Sequence, residues 1–133
     1  MTKTARERIS VEPYRGTVDV RFSDAIIAST RDALILREKG YEPVFYIPFE
    51  HIYFEFLRPS RTRTHCPFKG EARYWSVEAV GEAEDDVLWA YETPYEDMLA
   101  IAGRGAFDRS KVSIEATPKD SPREIRETPG MGT

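Results

Sequence analysis

Residues 17–29 read Thr17-Val18-Asp19-Val20-Arg21-Phe22, then Ser23-Asp24, then Ala25-Ile26-Ile27-Ala28-Ser29. The first six alternate polar and apolar, which places Val18, Val20 and Phe22 on one face of an extended strand. Ser23-Asp24 supplies short polar turn formers, so the chain is expected to reverse there and return through Ala25–Ser29 as a hairpin. The same period of two recurs outward from this segment. Ala33–Glu38 is a short apolar strand closed by Lys39-Gly40, and Val44–Ile47 can pair back onto it. His51–Leu57 alternates again, with Ile52, Phe54 and Phe56 inward against Tyr53 and Glu55. Ala72–Val80 and Val87–Tyr91 flank Gly81–Asp86, which reads as the connection of a second hairpin, and Val112 and Ile114 mark a last strand.

One stretch departs from that period. Thr93-Pro94-Tyr95-Glu96 has the form of a capping box with proline at the first helical position. Met98, Leu99, Ile101 and Ala102 follow as an apolar stripe, and Gly103 is a stop signal. The fold expected is mainly β: a curled or barrel-like antiparallel sheet with one short α-helix near residues 94–102.

The chain has 133 residues, of which 41% are apolar, enough for the core of a single domain and too many for wholesale disorder. Residues 1–15 are polar and mixed in charge and read as an N-terminal extension that orders only by docking. Residues 16–116 form the compact unit. Residues 117–133 hold three prolines and two glycines and read as a mobile tail. No internal repeat is present. Nineteen Lys and Arg against 23 Asp and Glu give a net charge of −4, which argues against general nucleic-acid binding. The single cysteine, Cys66, excludes an intrachain disulfide and suits a reducing cytoplasm. The N-terminus lacks the apolar stretch of a signal peptide, and no apolar run approaches the roughly 20 residues of a membrane helix.

Charge is distributed unevenly. Residues 58–73 carry Arg58, Arg61, Arg63, Lys69 and Arg73 against Glu71 alone, whereas residues 82–97 carry seven carboxylates and no base. Within the basic stretch, Arg63, His65 and Lys69 surround Cys66, and cationic neighbours favour the thiolate form of a cysteine. Pro67 and Gly70 fix the path of the loop and let backbone amides approach a bound group. Cys66 and Lys69 are therefore the candidate catalytic pair, and Arg63 is the candidate anion contact. The plainer alternative is a solvated basic loop carrying an inert cysteine. Aromatic residues offer walls: Trp89 and Tyr91 lie two apart on one strand face, and seven of the 16 aromatics fall between Tyr41 and Phe56. Such stripes are more often core than ligand platforms. His51 and His65 are the only histidines and neither has a spacing that suits a metal, so no metal site is expected. Phosphate-loop patterns are absent, and Gly103-Arg104-Gly105 follows a predicted helix instead of opening one.

Several of these elements occur together in a known pattern. Glu38-Lys39-Gly40-Tyr41, Tyr46-Ile47-Pro48, Thr64-His65-Cys66-Pro67-Phe68-Lys69-Gly70, Trp89-Ala90-Tyr91-Glu92-Thr93-Pro94 and Ala102-Gly103 before Ala106-Phe107 resemble the domain-of-unknown-function 427 family over about residues 17–116. These are small, mostly bacterial proteins that carry a nucleotidyltransferase-like label. The family pattern has an aspartate where this chain has His51. The resemblance implies a compact β-rich domain and brings no demonstrated activity or cofactor. The label itself fits poorly, because metal-dependent nucleotidyl transfer needs clustered carboxylates, typically Gly-Ser followed by Asp-x-Asp, and neither occurs here.

The expected function is binding of a small anionic molecule, with or without catalysis, at a pocket where the 64–70 loop meets the aromatic strands. Cys66 and Lys69 would be its reactive groups, and Arg63, Thr64, Tyr46, Glu38, Trp89 and Tyr91 its ligand contacts. The alternative is a non-enzymatic interaction or homo-oligomerising module in which the Thr64–Gly70 motif is structural and Lys69 pairs with Glu38 or Glu92.

Overall fold

The computed structural model describes residues 8–120. The strands, in chain order, are β1 (Ile9–Pro13), β2 (Gly16–Phe22), β3 (Ala25–Thr30), β4 (Leu34–Glu38), β5 (Val44–Pro48), β6 (Leu57–Cys66), β7 (Gly70–Ala79), β8 (Glu82–Ala90), β9 (Arg104–Phe107) and β10 (Ser113–Pro118). Seven of them form one sheet in the order β1-β4-β5-β9-β8-β7-β6, and the other three form a second sheet in the order β10-β2-β3. All ladders are antiparallel.

The hairpin that opened the sequence is β2–β3. Its turn is the two residues Ser23-Asp24, with Ser23 at φ 54. Val18, Val20, Phe22, Ile27 and Ala28 from this small sheet share one apolar cluster with Ile47, Trp75, Val77, Leu88 and Phe107 of the large one. The small sheet therefore covers one face of the large sheet. A second cluster, with Leu36, Tyr46, Ala72, Tyr91, Met98, Ile101 and Ala106, lies on the opposite face. Strand alternation accounts for the division: Phe45 and Ile47 point to the first cluster, Val44 and Tyr46 to the second.

The mainly β, antiparallel character holds, but the sheet is neither curled nor closed. No ladder joins β1 to β6, so both are edges among the described residues. A separate three-stranded layer already buries one apolar face, which removes the need for closure. The β6 edge is blunted by Arg58, Pro59, Arg61 and Arg63 and by a register shift between Pro59 and Arg63. β1, drawn from the polar N-terminal stretch, orders by pairing with β4 and buries Ile9. The tail expected over 117–133 lies, from residue 121 onward, outside the described residues.

Three local expectations are corrected. Residues 94–102 do not form an α-helix. Glu96–Ile101 is a 3-10 segment with Met98 off helical geometry (φ −120°, ψ 21°) and no side-chain cap. Its buried residues, Met98 and Ile101, are three apart, the period of a 3-10 turn. The Tyr95 amide donates to the Lys69 carbonyl, so the segment is pinned to the β6–β7 turn at its start and is too short to propagate a helix. His51–Leu57 is not a strand: Phe49–His51 and Phe54–Phe56 are 3-10 turns, and only an isolated Ala28–Ile52 bridge touches a sheet. Packing overrides the alternating pattern here, because the Phe54 ring stands edge-on to Phe49 and Trp75 at 5.5 and 5.7 Å. Finally, the β7–β8 connection is only Val80-Gly81, with φ 47 and 77, the signature of a two-residue primed turn. The carboxylates Glu82–Asp86 therefore lie in β8 and not in a loop.

Candidate functional site

The face of the large sheet that the small sheet does not cover is closed at one end by the 96–101 segment and left open beside it. There lies a cavity of about 370 Å³. Glu38 of β4, Tyr46 of β5, Lys69 of the β6–β7 turn, Tyr74 of β7, and Trp89 and Tyr91 from the end of β8 line it. Tyr41, Glu42 and Asp108 also contribute to its wall. Tyr74 stands directly opposite Trp89 across the β7–β8 ladder. Two residues on, the same alternation brings Tyr91 to that face.

The Cys66–Gly70 turn delivers the lysine. The Lys69 amide donates to the Cys66 carbonyl at 3.3 Å, closing the turn, and Gly70 leaves it at φ 113, a conformation that L side chains rarely adopt. Lys69 is consequently buried, and its ammonium donates to Glu38 Oε1 at 2.9 Å and to Cys66 Sγ at 3.6 Å. Glu38 has a second cation, Arg8, whose Nε lies 3.8 Å from Oε2 and whose guanidinium covers the Phe68 ring. An ammonium has three donors. Two of them are used among the described residues, which leaves one for a ligand oxygen.

Tyr46 is buried and accepts a hydrogen bond from Trp89 Nε1 at 3.4 Å. Burial pushes its phenol well above the ordinary tyrosine range, with the nearby Cys66 and Glu38 adding to the rise. Tyr91 is raised as well, first by burial and then by Tyr46. Both are therefore neutral hydroxyls at physiological pH. The cavity is electrically balanced. Glu38, Glu42 and Asp108 face Lys69 in the lining, while Arg8 pairs with Glu38 and Arg109 with Glu42 from outside.

Of the residues singled out in the sequence, Glu38, Tyr46, Lys69, Trp89 and Tyr91 share this cavity. Thr64 lies at its border, its hydroxyl 2.9 Å from that of Tyr74. Cys66 does not line it; the sulfur sits beyond the Lys69 ammonium. Arg63 is not brought in either. It is one residue from Thr64 on β6 and so points to the other face, opposite Arg73, with its guanidinium on the carbonyls of Ser60 and Thr62. His65 likewise faces away and meets the Tyr95 ring. Trp75 is a core residue of the opposite face. Sequence reasoning missed Tyr74, whose signal was its period-two spacing from Ala72, and Arg8, Glu42 and Asp108, which carried none. His51 is far from this face in the fold; its Nδ1 is 2.7 Å from the Thr30 hydroxyl between the sheets.

Among the described residues, no three of His, Cys, Asp and Glu come together to hold a metal ion. No helix among them is long and apolar enough to cross a membrane. A family model described as a domain of unknown function, DUF427, matches residues 10–117, from β1 into β10. No curated protein matches the chain.

Proposed function

This chain belongs to the DUF427 family, whose description carries no activity, and we propose from its own site that it binds a small, flat, largely neutral molecule in the aromatic cavity. The observation that carries this is the convergence of six polar-tipped side chains from β4, β5, the β6–β7 turn, β7 and the end of β8, namely Glu38, Tyr46, Lys69, Tyr74, Trp89 and Tyr91, on one hollow of about 370 Å³. Volumes of this order suit a small-molecule ligand held by apolar walls and a few placed polar groups. The rings supply flat contact, and the free donor of Lys69 takes a carbonyl or carboxylate oxygen. An anionic ligand, suggested by the basic stretch, is the less favoured form, because Glu38 already neutralises Lys69 and Arg63 is elsewhere. Cys66 is assigned the holding of Lys69 in place of nucleophilic attack.

The test is a thermal-shift and fluorescence titration of the full chain against flat neutral heterocycles and aromatic acids, in a Trp75→Phe background that leaves Trp89 as the reporter. Saturable binding that weakens about tenfold or more in Tyr46→Phe by fluorescence, and in Trp89→Leu by thermal shift, supports the site. Absence of any saturable ligand, or binding indifferent to both substitutions, rules it out.

A second proposal, a non-enzymatic module with a structural motif, draws on a specific observation. Three of the motif residues have an internal role: Thr64 bonds Tyr74, Lys69 ties the β6–β7 turn to β4 through Glu38, and Gly70 holds the turn. Under that proposal the motif variants change stability and no ligand is found.

A further inference from the structure

A second place in the molecule concentrates charge in a way the aromatic cavity does not. Arg15, between β1 and β2, Arg31, just after β3, and Lys119, just after β10, line a hollow of about 470 Å³ with Tyr14, Thr17 and Thr117. Among the described residues, its lining holds no carboxylate. Elsewhere Arg8, Arg37, Arg58, Lys69, Arg73 and Arg109 each have a carboxylate within salt-bridge distance. Arg15, Arg31 and Lys119 have no ion-pair or side-chain hydrogen-bond partner among the described residues. Grouping three like charges without a counter-charge is unfavourable in itself, and doing so around a concave surface focuses a positive potential there. It is the more notable in a chain of net charge −4.

The β2–β10 ladder sets Thr17 directly opposite Thr117, so two hydroxyls stand together in the basic hollow. Thr17 and Arg31 also line an adjoining hollow of about 430 Å³, where Ser29, Thr30, Asp32 and His51 complete the wall. Among the described residues, that neighbour contains no Phe, Tyr or Trp ring. Its hydroxyls, carboxylate and imidazole match a hydroxylated body better than a flat base, and Asp32 can accept from a diol. Arg31 stands between the two hollows, and a guanidinium binds phosphate oxygens in bidentate fashion.

We propose that this groove binds a phosphorylated polyhydroxy compound, with its phosphate among Arg15, Arg31 and Lys119 and its hydroxyls toward Asp32 and His51. The site is separate from the aromatic cavity and stands or falls independently of it.

The experiment is calorimetric titration of the full chain with a hexose 6-phosphate and with inorganic phosphate, at low and at physiological salt. The sugar phosphate is expected to bind more tightly than phosphate, and raising salt is expected to weaken both. Arg31→Gln should weaken both by about tenfold or more, with an unchanged melting temperature because Arg31 is exposed. Asp32→Asn should weaken the sugar phosphate alone, and removal of an exposed cation elsewhere, Arg58→Gln, should affect neither. No detectable binding of either probe, or binding unaffected by Arg31→Gln, overturns the proposal. Equal affinity for the two probes overturns the polyhydroxy assignment.

Discussion

Replacing Lys69 by methionine isolates the ion pair on which both proposals for the motif turn. The ammonium lies 2.9 Å from Glu38 Oε1, and the two side chains are 10% and 12% exposed. At an effective dielectric near 20 the bare attraction at that distance is about 5–6 kcal/mol. Much of it is offset by the desolvation of both groups, so the pair itself adds little net stability. Removing one partner is different, because Glu38 stays buried. Breaking a buried pair typically costs about 3–5 kcal/mol. Arg8 remains 3.8 Å from the other carboxylate oxygen, which lowers the expected cost to about 2–4 kcal/mol. With a urea slope of about 1.5–2 kcal/mol per molar, that is a fall in the unfolding midpoint of roughly 1–3 M. The partner variant Glu38→Met/Lys69→Met removes both charges and should recover to within about 1 kcal/mol of the parent, since apolar replacements of a buried pair are often neutral. Urea unfolding followed by tryptophan fluorescence measures all three proteins. A Lys69→Met protein as stable as the parent would refute the buried pairing, and a double variant at least as unstable as Lys69→Met would refute the assignment of the cost to a stranded Glu38. Ligand binding by the recovered double variant then separates the two proposals. Binding lost at regained stability places the Lys69–Glu38 pair in the site, and regained stability with no ligand found for the parent leaves the motif structural.

Val80 is a β-branched, exposed residue at φ 47 in the β7–β8 turn, a conformation that asparagine adopts readily. Val80→Asn should raise stability by about 1 kcal/mol in urea unfolding, and no change or a loss would contradict the turn assignment. The raised phenols of Tyr46 and Tyr91 act at alkaline pH. Their contribution is intact below the unfolded value near 10 and is lost above it, at about 1.4 kcal/mol per pH unit for each. Absorbance titration should find two of the seven tyrosines silent until the protein unfolds, and all seven titrating together near 10 would refute their burial. Asp86 is held below the ordinary carboxylate range by the Ser60 and Thr62 hydroxyls. Its contribution is therefore present above about pH 4 and lost as pH falls through the folded value. Asp86→Asn should flatten the urea midpoint between acid and neutral pH, and an unaltered pH profile would count against the contact.

The strands were legible where a short apolar period met a recognisable turn. Val18, Val20 and Phe22, followed by Ser23-Asp24, meet that condition, and the β2–β3 hairpin follows. The failures have one physical source: local pattern is outweighed by what packs against it. Ile52, Phe54 and Phe56 alternate like a strand, but the chain there crosses between two sheets, and ring contacts with Phe49 and Trp75 favour tight turns. Thr93–Glu96 has capping chemistry, yet the Tyr95 amide is committed to the Lys69 carbonyl, and six residues cannot sustain a helix against that anchor.

The candidate site shows how far period two carries and where it stops. Alternation alone puts Trp89 and Tyr91 on one face and separates Thr64 from Arg63, so the exclusion of Arg63 was available from the sequence once residues 58–66 were recognised as strand. The pairing of Tyr74 with Trp89 was not. The β7–β8 register shifts by two residues between Trp75 and Val77, where Asp86 bulges at φ 51 and gives its amide to the Ser76 hydroxyl. A shift of two preserves the face and changes the partner, so the aromatic character of this wall could be read while its neighbours could not. Charge follows the same logic at longer range. The basic stretch that drew attention to residues 58–73 is mostly dispersed in the fold, with Arg58 on Glu78, Lys69 on Glu38 and Arg73 on Glu92. Arg15, Arg31 and Lys119, three cations without partners among the described residues, are separated by up to about a hundred residues and meet only because β10 returns to β2. Local charge density in a sequence therefore measures how many ions must be neutralised nearby, and the proposed anion site lies where the topology gathers three that were not.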